Sequence, residues 1–176
     1  MPATAPARTR RAWEVLQDVA DPEIPAISVC DLGIVRDVAE ADDGSLHVVL
    51  TPTYSGCPAT EVIEHDVRRA LLEAGLGPVQ TELRRAPAWS TDWISAAGRS
   101  KLLAYGIAPP QARCATAAAG ADATQAVMLL HRDAAPPCPR CGSARTAQLA
   151  GFGSTPCKSL WRCLDCAEPF DYFKPL

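Results

Sequence analysis

Sulfur is the chemistry that this chain carries in unusual amount. It has eight cysteines, at positions 30, 57, 114, 138, 141, 157, 163 and 166. Cys138-Pro139-Arg140-Cys141-Gly142 and Cys163-Leu164-Asp165-Cys166 are two Cys-x-x-Cys turns. Each turn can aim two thiolates at one metal ion, and Gly142 eases the first turn. Together they supply the four tetrahedral ligands of a closed zinc site. Twenty-one residues separate Cys141 from Cys163, a little beyond the usual ~15–20, and a two-stranded ribbon absorbs the excess. Four thiolates leave no open coordination position, so Cys138, Cys141, Cys163 and Cys166 read as a structural site and not a catalytic one. Iron also accepts four thiolates, so zinc and iron both stay open. Cys157 is a fifth thiol nearby, open between a packed side chain and an extra ligand.

Cys57 stands apart, in the turn Gly56-Cys57-Pro58 ahead of an apolar-periodic segment. A thiol at a helix start faces unpaired amides and the positive end of the helix dipole, so a lowered pKa is expected. Thiolate is the form that binds soft metals, which makes Cys57 the best candidate functional thiol. The plainer alternative is an inert cysteine at a helix start. Asp21 and Asp31 flank an earlier loop, where each either caps a turn or faces Cys57. Cys30 reads as a small apolar residue at a strand end, and Cys114 carries no role. His47, His65 and His131 have no catalytic spacing.

These side chains need elements to hold them. Residues 1–9 read as a loose tail and 10–20 as a helix with Trp13 and Leu16 on its inner side. Asp21-Pro22-Glu23-Ile24-Pro25 cannot continue that helix, because two prolines remove donors. Residues 34–39 and 46–50 read as strands joined by the turn Asp42-Asp43-Gly44. A helix over 59–74 follows, with Val62, Ile63, Val67, Ala70 and Leu71 inward and Gly75 as its stop. A third strand over 79–83 and a helix over 93–105, capped by Thr91 or Asp92, complete an α+β domain over 10–110. Residues 111–133 read as an Ala-rich linker, with a short strand near 124–131. A four-cysteine module follows over 134–176, and it is expected to need its metal to fold.

Composition narrows the classes further. A chain of 176 residues with 48% hydrophobic content and net charge −3 can build a proper core. Its longest apolar runs, such as Val127-Met128-Leu129-Leu130, are far below the ~20 residues of a membrane span. From residue 138 on there are five basic and three acidic residues. Zinc with four thiolates adds −2, so the field is near zero and poor for nucleic acid. The start lacks the apolar stretch of an export signal, so a reducing, cytoplasmic setting is expected, where clustered cysteines read as metal ligands.

Three segments together resemble the iron–sulfur assembly domain called DUF59 of SufT-type proteins: Asp21-Pro22-Glu23-Ile24-Pro25, Asp31-Leu32-Gly33-Ile34-Val35 and Thr51-Pro52-Thr53-Tyr54-Ser55-Gly56-Cys57-Pro58-Ala59-Thr60. With Trp89-Ser90-Thr91-Asp92-Trp93, Gly106-Ile107-Ala108-Pro109-Pro110, the cysteine ribbon and the Glu168-Pro169-Phe170-Asp171-Tyr172-Phe173-Lys174 ending, the chain resembles the PaaD family. Members of that family are small subunits encoded with bacterial phenylacetyl-CoA epoxidases. The resemblance implies a small mixed sheet with helices packed on it, followed by a zinc ribbon. It implies an accessory, non-catalytic role in assembling or delivering iron–sulfur clusters, with the epoxidase subunits as partners and the [2Fe–2S] reductase component as client. By the same resemblance Cys57 is the cluster-associated cysteine, Asp21 and Asp31 are its acidic neighbours, Thr51 and Thr53 lead into its loop, and Cys157 is the additional tail thiol. One Cys57 cannot fill a cluster that needs four ligands, so a transient iron–sulfur cluster would draw on a second chain in a homodimer, an external thiol or Cys157. Two other readings compete: a zinc-ribbon adaptor that docks oxygenase subunits without a cluster, and a thiol reductase using Cys138 and Cys141.

Overall fold

The computed structural model describes residues 6–54, 56–111 and 135–175. Cys114, His131, most of the expected linker and the strand expected near 124–131 lie outside the described residues.

Helix α1 (Ala7–Leu16) begins three residues earlier than expected. Its early start has a cause in Arg8, whose guanidinium donates to the carbonyls of Gly44, Leu76 and Gly77 at 2.6, 3.0 and 2.9 Å. The helix also ends earlier than expected, because the Val29 amide donates to the Val19 carbonyl at 2.9 Å and draws the chain into an extended bridge. Strands β1 (Val35–Glu40) and β2 (Leu46–Leu50) pair antiparallel. Helix α2 (Thr60–Glu73) then crosses over to β3 (Val79–Leu83), which lies parallel to β2. The result is a three-stranded mixed sheet in the order β1-β2-β3.

Ile63, Val67 and Leu71 recur every four residues on α2 and are all buried. They meet Leu16, Ile27, Val29, Leu46, Val48 and Leu50 in the main core. Val62, expected inward, is 47% exposed, because it falls one position off that stripe.

The expected helix over 93–105 is two pieces. A 3-10 turn (Thr91–Trp93) is capped by Ser90, and α3 (Ala96–Tyr105) is capped by Ser95, whose Oγ accepts from the Gly98 amide at 2.8 Å. Asp31 fastens this corner. Its carboxylate accepts from Ser95 Oγ at 2.7 Å and from Lys101 Nζ at 2.5 Å. Its carbonyl takes the Ser95 amide at 2.9 Å. Gly98 sits so close that a Cβ there would lie 2.8 Å from that carbonyl.

Burial pushes the Asp31 carboxyl up, but Lys101, Ser95 and Ser28 together hold it below the usual carboxylate range. A depressed folded pKa gives stability that is present above the unfolded value of about 3.9 and is lost as pH falls through the folded value. Asp31→Asn therefore lowers the melting temperature at pH 7, and the gap to wild type narrows below about pH 4. Melting curves from pH 7 to pH 2 check this; a gap that does not narrow would count against it.

Strand β4 (Ile107–Ala108) leaves α3 through Gly106 at φ 95°. It pairs in parallel with β7 (Pro169–Phe173), the last strand of the cysteine module. Strands β5 (Thr146–Ala150) and β6 (Lys158–Cys163) complete an antiparallel meander, so the second sheet runs β4-β7-β6-β5. The ribbon is thus bound to the first domain by a shared sheet. It is also bound by packing: Phe173 and Cys157 belong to the main core, and Phe173 lies 5.8 Å from the Trp89 ring. The aromatic ending is turned inward, with Phe170, Tyr172 and Phe173 all buried.

Candidate functional site

Thr51 ends β2 with its amide on the Ile34 carbonyl at 2.8 Å, which fixes where the next loop starts. The loop then turns back, with the Cys57 amide donating to the Tyr54 carbonyl at 3.2 Å. Thr60 closes it by donating its amide and its Oγ1 to the Cys57 carbonyl at 3.2 and 2.8 Å. Cys57 is thereby held just ahead of α2, partly buried, with the Ala59 amide directed at its sulfur.

Opposite stands the Asp21 turn. Asp21 Oδ1 accepts from the amides of Glu23 and Ile24 at 2.9 and 2.8 Å, a turn that competes with helix and ends the preceding segment. From the ribbon comes Cys157, just ahead of β6, with its sulfur 3.0 Å from Thr155 Oγ1. Asp21, Glu23, Thr53, Cys57 and Cys157 line one cleft over a floor that includes Leu32, Ile63 and Phe173. The void between them is about 10 Å³, close to the least that holds one water.

The expected lowering of the Cys57 pKa does not occur. Burial pushes the thiol up, the Glu23 and Asp21 carboxylates add to that, and the Ala59 amide and Thr60 hydroxyl only partly offset it. Burial likewise raises Cys157, Asp21 and Glu23. Tyr54 is pushed up to about 12 by burial and by the charges of Cys57, Glu23 and Cys157. Its hydroxyl oxygen is buried beside Cys57 with no hydrogen-bond partner of ordinary geometry. Such a crowd of acids favours the protonated forms until a cation arrives.

Other expected site residues fall elsewhere. Asp31 faces Lys101 and Ser95 and does not line the cleft. Thr51 lines a neighbouring hollow with Tyr54, Arg85 and Trp89, and Thr53 borders both spaces. Cys30 packs against the core, where burial raises its thiol to about 12. Nothing in the sequence alone marks Glu23 and Tyr54 as site residues. Their only signal was closeness to Asp21 and Cys57, whose loops meet only on folding.

At the other end of the ribbon the four tail sulfurs all lie within 4.8 Å of one another. Cys138 and Cys166 are 3.8 Å apart, and Cys141 and Cys163 are 3.5 Å apart. A tetrahedron with bonds of about 2.3 Å has edges of about 3.8 Å, so the donor set fits a tetrahedral metal ion. The Cys166 amide points at Cys163 Sγ from 3.5 Å and helps draw that thiol below its ordinary range. All four thiols are free of disulfides, and Cys138 and Cys141 stand inside the tetrad.

Comparison with known proteins agrees with both halves. Residues 9–82 match the family described as iron–sulfur cluster assembly protein, and residues 122–174 match the PaaD zinc beta ribbon domain. A DUF59 crystal structure from Bacillus anthracis superposes with TM-score 0.51 and 26% identity, covering 55% of this chain and 92% of that one. An Fe-S protein maturation auxiliary factor of Porphyromonas gingivalis (strain ATCC BAA-308 / W83) is 38% identical over 46% of this chain and 77% of its own length. An Escherichia coli (strain K12) protein, provisionally named as a subunit of 1,2-phenylacetyl-CoA epoxidase, is 42% identical over 97% of this chain and 94% of its own. The architecture is therefore that of an iron–sulfur assembly domain fused to a zinc ribbon. Within that class, the chain belongs to the PaaD family. Among the described residues, no helix is long and apolar enough to cross a membrane.

Proposed function

We propose that this chain is an accessory protein that takes up iron–sulfur cargo at Cys57 and hands it to a partner in the cytoplasm. The observation that carries the reading is the partly exposed Cys57 thiol, set at the head of α2 in a cleft rimmed by Asp21 and Glu23, within an iron–sulfur assembly domain. A [2Fe–2S] centre needs four protein ligands. A site offering fewer holds its cargo loosely and releases it by ligand exchange. Likeness to an epoxidase subunit and to an Fe-S maturation factor supports the epoxidase complex as the partner; in this reading its [2Fe–2S] reductase component is the client. The tail tetrad holds zinc as a structural ion, and the chain performs no catalytic step itself.

Anaerobic reconstitution tests this. Wild type binds iron and sulfide and restores the [2Fe–2S] spectrum of an apo-reductase, whereas Cys57→Ser loses at least tenfold in transfer rate. Equal transfer by the two proteins would refute the role of Cys57. An adaptor without cargo is the second reading, favoured by Leu149 and Phe152, which stand 55% and 70% exposed on the ribbon. Binding of Cys57→Ser to the complex, together with full epoxidase activity, would favour it.

A further inference from the structure

The ribbon contributes a second thiol to the Cys57 cleft, which bears on what that cleft can hold. We propose that Cys57 and Cys157 together ligate a single divalent iron ion, with the Glu23 carboxylate as an oxygen donor. The proposal rests on the reading that Cys57 takes iron, and it names the ligands that seat the first iron at that site.

Five features converge. Two thiols and two carboxylates, drawn from three separate segments, line one void. Thiolate with carboxylate is a donor set that suits a first-row transition ion better than Mg²⁺ or Ca²⁺. The void, about 10 Å³, has the scale of one ion or one water, so a lone iron can be seated there ahead of any sulfide. The acids outnumber the positive charge: among the described residues Lys158 is the one cation that acts on Asp21, Glu23 and Cys157, and it is shared with Asp171, 3.7 Å from its Nζ. Finally, the partly exposed Glu23 carboxylate makes no hydrogen bond or ion pair among the described residues and is free to turn toward the void, and the buried Tyr54 oxygen beside Cys57 has no hydrogen-bond partner of ordinary geometry. Buried polar atoms without partners are rare and call for a reason.

Only the tail thiols form a group of three or more donors all within 4.8 Å among the described residues. Ion entry therefore draws the partly exposed Glu23 side chain inward. On binding, Cys57 and Cys157 each exchange a proton for an iron–sulfur bond, the two protons pass to solvent, and no electron moves. Because Cys157 reaches the cleft on the ribbon, a single chain supplies both sulfurs.

The full chain, with its ribbon metal in place, is titrated anaerobically with Co²⁺ and then Fe²⁺, without sulfide. Wild type binds one ion beyond the ribbon metal, with a thiolate-to-cobalt charge-transfer band in the near ultraviolet. Cys57→Ser and Cys157→Ser each halve that band and weaken iron retention at least tenfold. Glu23→Gln weakens retention while leaving the band. The ribbon metal and melting temperature of each variant are measured alongside. As a check that needs no variant, phenylarsine oxide, which bridges paired thiols, is expected to block Cys57 and Cys157 together in wild type. If Cys57→Ser loses iron and a folded Cys157→Ser does not, or if the arsenical leaves Cys157 free, the ligand pair is refuted while the role of Cys57 stands. If neither variant changes binding, both readings fall. Binding that appears only with sulfide would overturn the single-ion form.

Discussion

Cys163→Ser is expected to empty the ribbon of metal and to disturb the Cys57 cleft at the other end of the module. Cys163 is fully buried in a small cluster with Ala108, Cys138, Phe170 and Tyr172. That cluster is too small to hold a fold without its metal. Structural zinc in finger-sized modules is worth about 10–16 kcal/mol of apparent binding energy at pH 7, more than a module of this size stores by burial. A serine hydroxyl is a poor substitute for a thiolate, so chelator-resistant ribbon metal should fall from about one per chain to near zero. The loss then spreads, because β7 pairs with β4 and Phe173 and Cys157 sit in the main core. Near-ultraviolet dichroism from Trp89 and Tyr172 should weaken, and Cys57 should be alkylated faster as Cys157 withdraws. Metal analysis with timed alkylation checks this. Full metal content, or an unchanged Cys57 rate after metal loss, would contradict it.

Phe173→Ala should separate the two halves without emptying the tetrad. Phe173 is 1% exposed and packs its ring on Trp89, whose indole nitrogen donates to the Leu32 carbonyl at 2.9 Å. Truncating a buried phenylalanine costs about 3–5 kcal/mol. That cost falls at the seam between ribbon and first domain, so ribbon metal stays near one per chain. Calorimetry should then resolve two unfolding transitions in place of one, and Cys57 alkylation should again rise. A single transition at the wild-type temperature would show that the seam is held by β4 and β7 alone.

The contrast between these variants also marks what could be read from the chain and what could not. The tetrad was legible because Cys-x-x-Cys fixes its own geometry locally, and the sulfurs come together as the spacing requires. Strands β2 and β3 matched their apolar patterns, and α2 matched to within one residue at each end. Contacts distant in sequence were not legible. Arg8 looked like part of a tail because its three carbonyl partners come from Gly44, Leu76 and Gly77. The two-residue β4 is too short to show a pattern, and it becomes a strand only because β7 lies beside it. The Cys57 thiol departs from its expected acidity for a related reason. The helix-start amide was visible in sequence, but burial and the Glu23 and Asp21 carboxylates come from other loops and outweigh it. In sequence Asp31 is equivalent to Asp21, yet Lys101, 70 residues on, claims it for the α3 corner.

The metal content of wild type and Cys57→Ser, both purified without oxygen, tests the central claim most directly. Each preparation is divided, and metal is counted before and after brief mild chelation. Wild type should carry the ribbon's ion, which resists the chelator, and additional iron, which does not. Cys57→Ser should carry the resistant ion alone. Equal amounts of chelatable iron in the two proteins, or none in wild type, would contradict the account.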